Sequence, residues 1–216
     1  MFRLVALLVF GACLLPQHPL LAQVTATAPE AEAPQYTQQW DFFGGAEYSH
    51  FNPSPGVGVE AINLLGWNGS ATAWFRPLMG IEASARGLSG NMVIPPNAYG
   101  VPANPAMSEK LFLFGPSFRM LRRPHYELGM HGLIGAAYGV FDSDFPSGVT
   151  PQMVGIYNDK LTLGLAAGGF ADYNLGPRLA VRFVSDWQPT HYGFTWQNEF
   201  AGSVGIVYKV GSLHIR

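Results

Sequence analysis

From Trp40 to Tyr208 the sequence repeats one pattern eight times: a stretch in which small or apolar side chains alternate with polar ones, bounded by turn residues. Successive side chains of a β-strand point to opposite faces, so each stretch predicts a strand with one apolar and one mixed face. The hydrocarbon layer of a membrane offers no hydrogen bonds to an open sheet edge, so such strands cross a bilayer only in a closed barrel. The pattern therefore predicts an all-β fold, an eight-stranded antiparallel up-and-down transmembrane β-barrel.

The connections between the predicted strands alternate in length. The strands are placed at 40–51, 66–76, 79–88, 110–121, 126–140, 160–174, 178–188 and 196–209. Connections after the second, fourth and sixth strands are short and contain proline, whereas the others are longer. Outer-membrane barrels have short periplasmic turns and long extracellular loops, so the alternation favours that topology. The longest connection is predicted at Ser89 to Glu109, where four prolines exclude a strand or a helix interior.

Composition favours a membrane protein over a soluble one. Charged residues make up 12% and hydrophobic residues 48% of the chain, whereas charged residues are about 25% of an ordinary soluble domain. The net charge of −2 gives no electrostatic case for nucleic acid binding.

The apolar faces of the predicted strands end in aromatic side chains, as expected at the two interfaces of a bilayer. They are Phe42, Phe75, Phe118, Tyr126, Tyr173 and Tyr208 at one end, and Tyr48, Trp67, Phe112, Tyr138 and Trp187 at the other. The alternative is a soluble β-sandwich with an aromatic core. Aromatic residues at both ends of so many strands, together with the low charge, favour the membrane.

The N-terminus predicts a segment that is removed. A positive start, an apolar run from Leu4 to Leu15 and a small-residue site at Ala22 are typical of a secretory signal peptide. Cleavage there removes Cys13, the one cysteine of the chain, whereas the alternative is lipidation of Cys13. The predicted organisation is 1–22 signal peptide, 23–38 flexible periplasmic leader, 39–209 outer-membrane β-barrel and 210–216 C-terminal tail.

Several short segments resemble a known family. They are WDFFGGAEY at 40–48, LFGPSFR at 113–119, GLAAGGFAD at 164–172, LAVR at 179–182 and GSVGIVY at 202–208. They are similar to the small eight-stranded outer-membrane β-barrels of Gram-negative bacteria, the group of the OmpA membrane domain and OmpX, and most to the relatives that consist of the barrel alone. The resemblance implies a location in the bacterial outer membrane, contact with its lipid, and a lumen that polar side chains fill.

The last predicted strand carries alternating residues Gly202, Val204, Ile206 and Tyr208. This pattern resembles the C-terminal insertion signal that the outer-membrane insertion machinery reads as an added strand edge, in which alternate side chains give specificity. The resemblance implies that this machinery is a partner of the chain.

The mixed faces collect nearly all of the charge of the predicted strands. The inward charged residues are Glu47, Glu82, Arg86, Arg119, Glu127, His131, Asp172, Arg182, Asp186 and Glu199. An eight-stranded barrel is only just wide enough for side chains, so these groups must pair with one another or with trapped water. Counting from the turns places Arg119 opposite Glu127. It also places Arg182 diagonal to Asp172. We interpret this lumen charge network as a polar plug, and the alternative is a pore or an active site.

Catalytic and metal sites are not predicted. Some barrels of this size modify lipid A with a Ser–His–acid set, but His131 has no serine within two positions and its parity points inward. The histidines show no short ligand spacing, so we predict no metal site and no cofactor. The histidines outside the predicted signal peptide are His50, His125, His131, His191 and His214.

Three functions remain open. The first is a structural or surface-interaction role for a monomer whose extracellular loops expose Tyr99, Phe145 and Tyr192. The second is a narrow passive porin, and the third is a lipid A-modifying enzyme. The sequence favours the first and leaves its surface ligand unidentified.

Overall fold

The computed structural model describes residues 38–53, 60–158, 161–193 and 195–213. The predicted signal peptide, the predicted leader up to residue 37 and the last three residues of the predicted tail lie outside these residues. Among the described residues, no helix is long and apolar enough to cross a membrane.

Eight strands form a closed barrel in which each strand pairs with its neighbours in sequence, and the first pairs with the last. All pairings are antiparallel. The strands are β1 (Trp40–Asn52), β2 (Ile62–Arg76), β3 (Met79–Asn91), β4 (Ala106–Arg122), β5 (Tyr126–Val140), β6 (Leu161–Asn174), β7 (Leu179–Trp187) and β8 (Asn198–Val210). A single 3-10 turn, Pro151–Val154, lies between β5 and β6 in the described part of the chain. The predicted eight-stranded up-and-down barrel is confirmed.

The two ends of the barrel differ in the length of their connections. One end, here called the short-turn end, holds the connections 77–78, 123–125 and 175–178. The other, the long-loop end, holds 53–61, 92–105, 141–160 and 188–197. This alternation agrees with the sequence pattern.

The prediction that the longest connection runs from Ser89 to Glu109 is wrong. β3 continues to Asn91 and β4 already begins at Ala106, so the longest connection is 141–160. β4 extends because residues before its predicted start keep the alternation of buried and exposed side chains, with Met107 and Glu109 buried inside the barrel.

Burial follows the predicted period of two along the strands. In β2 the side chains of Asn68, Thr72 and Trp74 are buried, whereas those of Trp67 and Phe75 are more than half exposed. The aromatic side chains predicted at the strand ends are exposed on the outer surface, from 38% for Tyr138 to 59% for Phe112, apart from a half-buried Phe118. The outer surface is therefore an apolar band with aromatic residues towards both ends.

Apolar side chains fill the interior at the long-loop end. This outer apolar cluster combines strand residues such as Leu64 and Leu111 with residues of the long connections, among them Phe141 and Tyr157. Two side chains that were predicted to be exposed in the loops instead pack against this cluster. Tyr192 is completely buried, edge-on to Phe141 with ring centroids 5.1 Å apart, and Phe145 is partly buried against the cluster.

Tyr99 is exposed as predicted. The long connections are thus folded partly into the mouth of the barrel, and only some of their apolar side chains face outwards.

Candidate functional site

Six charged side chains form a closed ring inside the barrel near the short-turn end. This charge ring takes one residue from each of β1, β4, β5, β6, β7 and β8: Asp41, Arg119, Glu127, Asp172, Arg182 and Lys209. Every member is buried. The period of two directs each of these side chains inwards, and the register places Glu127, Asp172 and Arg182 side by side on adjacent strands.

The pairing in the charge ring is cyclic: each cation contacts two carboxylates and each carboxylate contacts two cations. Arg119 lies 3.1 Å from Asp41 and 2.8 Å from Glu127. Arg182 lies 3.3 Å from Asp41 and 2.6 Å from Asp172. Lys209 closes the circle at 3.6 Å from Glu127 and 2.9 Å from Asp172. Three positive and three negative charges make the ring formally neutral.

Aromatic faces complete the surroundings of the two arginines. The guanidinium carbon of Arg119 lies 3.8 Å from the ring centroid of Trp74, and that of Arg182 lies 4.2 Å from the centroid of Phe170. Cation–π contacts of this kind are stronger where the cation is removed from water. The arginines are therefore held by carboxylates at their edges and by aromatic rings on their faces.

Two charge pairs were predicted by counting residues from the turns, and the observed strand register gives both a different geometry. Glu127 is paired with Arg122 and Arg119 with Gly129, so Arg119 reaches Glu127 diagonally rather than from directly opposite; a bulge interrupts the register between Arg119 and Leu121. A bulge adds a residue to one strand and shifts the pairing beyond it. Asp172 and Arg182, in contrast, are directly opposite each other and not diagonal.

A second group of polar side chains, the central cluster, surrounds Arg86 in the middle of the barrel. The Arg86 guanidinium lies 2.6 Å from Asp186 and donates a 2.6 Å hydrogen bond to Gln188. Its distance to Glu47 is 3.8 Å, and Ser203 donates a 3.0 Å hydrogen bond to the same carboxylate. The remaining members are Asn68, Glu82, Ser84 and His131.

His131 joins two carboxylates of the central cluster. Its Nδ1 lies 3.1 Å from Glu82 and its Nε2 2.8 Å from Asp186. An ionised carboxylate only accepts, so both contacts are hydrogen bonds when both ring nitrogens carry protons. The imidazolium then adds a second positive charge to that of Arg86. The carboxylates of this cluster are those of Glu47, Glu82 and Asp186.

Two further carboxylates lie between the central cluster and the outer apolar cluster. Glu109 and Glu199 are completely buried; the Tyr192 hydroxyl donates a 2.9 Å hydrogen bond to Glu109, and the Ser49 hydroxyl donates to Glu199. Burial, and next the Glu109 carboxylate, raise the pKa of Tyr192 above its usual range, so the phenol keeps its proton and acts as a donor. Tyr192 thereby links a long connection to the barrel wall.

Glycine makes room for the central cluster at Gly168. A Cβ at this position would lie 2.0 Å from Oδ1 of Asp186 and 2.1 Å from the backbone oxygen of Ser185. Gly132 on β5 has no atom within 4 Å of the corresponding position. The glycine at 168 is thus required by the close approach of the carboxylate that binds both Arg86 and His131.

All ten residues of the predicted lumen charge network lie buried in the interior, distributed over the charge ring, the central cluster and the level of Glu199. Sequence reasoning missed three buried charges, Asp41, Glu109 and Lys209. Asp41 and Lys209 share the parity of inward Glu47 and Ser203, so extending the alternation to the strand ends would have found them. Glu109 falls in a predicted connection because the predicted fourth strand begins only at residue 110, whereas β4 begins at Ala106.

Three carboxylates of the charge ring, Asp41, Glu127 and Asp172, approach one another closely enough to bind a metal ion, with oxygen atoms within 4.8 Å. Each of them already contacts two side-chain cations. Arginine and lysine therefore supply the positive charge at this position.

The predicted insertion-signal residues lie on the outer face of β8. Val204, Ile206 and Tyr208 are exposed and Gly202 is half-buried. They face the outer surface, while Ser203 and Val207 between them, and Lys209 directly after Tyr208, face the interior.

Comparison with known proteins identifies the fold. No protein-family model and no curated protein matches the sequence. Among solved structures, neisserial surface protein A (NspA) aligns with a TM-score of 0.57 at 10% identity, over 80% of this chain and 97% of that chain. OprG from Pseudomonas aeruginosa aligns with a TM-score of 0.53 at 12% identity, over 82% and 98%.

Ail, the attachment invasion locus protein of Yersinia pestis, aligns with a TM-score of 0.51 at 15% identity, over 80% of this chain and 99% of that chain. Ail is also known in complex with the heparin analogue sucrose octasulfate. These neighbours are small eight-stranded outer-membrane barrels. The chain has their fold.

Proposed function

We propose that this chain is a bacterial outer-membrane β-barrel whose lumen is closed by its own side chains and whose long connections face the exterior of the cell. Its role in this proposal is structural or one of surface interaction. The apolar, aromatic-ended outer surface supports insertion in a bilayer. The short turns then lie in the periplasm and the long loops outside.

The observation that carries the proposal is the charge ring. Its six side chains reach across the interior and contact one another in a cycle, and all of them are at most 2% exposed. The central cluster and the outer apolar cluster occupy successive levels above it. A hydrated ion would have to displace paired buried charges, which is costly because each lost partner leaves an uncompensated charge.

Planar-bilayer recording tests the closed lumen. We expect the folded full chain to give no steady conductance over the background of the lipid, because the interior is blocked at three levels. A barrel folded into the same lipid but carrying Lys110→Gln, at an exposed position outside the lumen, serves as a control and should behave identically. A large steady current that changes with substitutions in the charge ring would contradict the closed lumen and favour a narrow passive porin.

Surface interaction is supported by apolar side chains that the long connections leave exposed. Val93, Tyr99, Met153 and Trp196 are each between 43% and 50% exposed. The same end exposes the carboxylates of Glu60 and Asp144, which repel a polyanion. The ligand chemistry that this surface favours is therefore apolar or aromatic and differs from the sulfated ligand of Ail.

The lipid A-modifying alternative receives no support from the geometry around His131. Both ring nitrogens contact carboxylates, so neither is placed to take a proton from a serine hydroxyl. Its side chain is also buried in the interior, away from the outer surface where lipid would lie.

A further inference from the structure

We propose that the short-turn end of the barrel binds the phosphate headgroups of anionic phospholipids through an arginine rim. The arginine rim consists of Arg76, Arg122, Arg123 and Arg178. This inference rests on the proposed membrane location, because the short turns face the periplasmic leaflet only if the barrel spans the outer membrane. It adds a lipid class and a named set of residues to that location.

Each short connection carries or adjoins at least one member of the arginine rim. Arg76 precedes the connection 77–78, Arg122 and Arg123 border 123–125, and Arg178 closes 175–178. Arg76, Arg123 and Arg178 are exposed, and Arg122 is half-buried. The three turns come together at one end of a closed barrel, so four guanidinium groups that are distant in sequence share one rim.

No arginine of the rim forms an ion pair among the described residues, although Arg122 lies near enough to Glu127 and Asp41 to interact with them at longer range. The carboxylates nearest to this end, Asp41, Glu127 and Asp172, are buried and already bound by the cations of the charge ring. The three exposed arginines, Arg76, Arg123 and Arg178, therefore present unpaired positive charge to their surroundings.

The position of the rim relative to the aromatic side chains matches the headgroup level of a bilayer. Arg76 directly follows the exposed Phe75, and the backbone N–H of Arg123 donates a 2.8 Å hydrogen bond to the carbonyl of Tyr126. Arg178 precedes Leu179, which is paired with Tyr208. Aromatic rings favour the interface between hydrocarbon and headgroups, so arginines just beyond them lie where lipid phosphates are found. A guanidinium binds a phosphate in bidentate fashion.

Two pockets meet at Arg178. One, of about 330 Å³, is lined by the turn residues from Leu175 to Leu179 and is mostly apolar. The other, of about 400 Å³, is mostly polar and includes Gln38, Arg178 and Ser212. A phospholipid has the matching pair of surfaces, an apolar glycerol–acyl region next to a phosphate, so Arg178 is the best-formed point of contact on the rim.

The opposite end of the barrel has different electrostatics. Exposed carboxylates of the described residues, Glu60 and Asp144, lie in the long connections. Lys110 is the exposed cation of the strands at that end. The asymmetry assigns anionic lipid to the short-turn end and makes Lys110 a natural control position.

The test measures lipid selectivity of the folded full chain in phosphatidylcholine vesicles. Spin-labelled phosphatidylglycerol and spin-labelled phosphatidylcholine are compared by the fraction of each that the protein immobilises. We expect the wild-type protein to favour phosphatidylglycerol several-fold at low ionic strength, with up to about fivefold for each arginine engaged. The preference should fall as salt is added, because exposed charges are screened.

Substitutions test whether the arginine rim causes the preference for phosphatidylglycerol. The variant R76Q/R122Q/R123Q/R178Q should lose it, R178Q alone should lose the largest single share, and the corresponding four lysine substitutions should keep most of it because the charge is retained. Lys110→Gln, which removes one positive charge from the other end, should leave it unchanged. Faster migration of the unboiled protein in SDS gels verifies that each variant has folded.

Wild-type protein that inserts and shows no preference for phosphatidylglycerol would overturn the inference, and so would a preference that survives the four glutamine substitutions. Failure of the proposed function looks different, because a chain that is not a membrane protein would not insert into the vesicles at all.

Discussion

At the scale of single residues, the interior is governed by compensation of charge. Arg119 is buried and contacts two carboxylates, so its removal leaves Asp41 with Arg182 alone and Glu127 with Lys209 alone. A buried charge that loses its partner is strongly destabilising, whereas joint removal of both partners costs much less. The charge ring therefore makes the energetic effect of one substitution depend on the others.

A double-mutant cycle on Arg119 and Glu127 measures this dependence. We expect Arg119→Met and Glu127→Gln each to lower the free energy of unfolding by about 3 to 5 kcal/mol. The double variant removes one charge of each sign and restores neutrality, so it should recover much of that loss, with a coupling well above about 1 kcal/mol. Urea unfolding of the barrel in vesicles provides the measurement.

The exposed Lys110→Gln, outside both the charge ring and the arginine rim, is the control for this cycle and should change stability by less than about 0.5 kcal/mol. Coupling no larger than that of a surface pair would show that water reaches the ring, contrary to its burial.

Gly168 provides a second prediction at this scale. Gly168→Ala should destabilise the barrel by about 1 to 3 kcal/mol, because the added methyl group overlaps Asp186 and the backbone of Ser185. Gly132→Ala, at an outward position of β5 with open space around it, is the control and should be neutral or slightly stabilising. Equal effects in urea unfolding would contradict the close approach seen at Gly168.

At the scale of strands, the two faces have separate environments. Ala83 and Ala167 are exposed on the outer face, while the next residue of β3, Ser84, is buried and contacts Asn68 and Arg86. The outer positions tolerate only side chains compatible with hydrocarbon if the barrel spans a bilayer. The inner positions are limited by packing against other polar groups.

Arginine substitution tests the environment of the outer face. Ala83→Arg and Ala167→Arg should each lower the stability of the barrel in vesicles by about 2 to 4 kcal/mol if they lie near the bilayer midplane. Ala103→Arg, at an exposed position of the connection 92–105, should change it by less than about 0.5 kcal/mol. A cost at Ala83 no greater than at Ala103 would mean that this face meets water.

The strands were predictable from sequence wherever alternation was regular, and less so near their ends. β5 was placed at its observed bounds because a proline-containing turn precedes it and apolar alternation continues throughout. The observed β2, β3 and β4 are longer than the alternation predicts, since Leu64, Met92 and Met107 at or next to their ends lie inside an apolar cluster that only tertiary packing reveals. For the same reason the burial of Tyr192 was missed, and the bulge after Arg119 could not be read from spacing.

At the scale of the whole molecule, closure of the sheet predicts resistance to detergent. Each strand is hydrogen-bonded on both sides, so the described barrel offers no free edge at which unfolding in SDS could begin. We expect the mature protein to fractionate with the outer membrane and to migrate faster in SDS gels when unboiled than when boiled. A band that does not shift, together with recovery in the soluble fraction, would contradict the membrane assignment.

The seam between the first and last strands links the charge ring to assembly. Asp41 of β1 and Lys209 of β8 are directly opposite each other in the backbone register of the seam. The other four members of the ring come from strands between β1 and β8. The cycle of ion pairs is therefore complete only when the seam has joined. A slip of one residue at the seam would turn the inward side chains of one strand outwards. The register that joins the two ends of the chain is therefore also the one in which the six charges of the ring compensate one another, so the ring favours correct closure of the barrel.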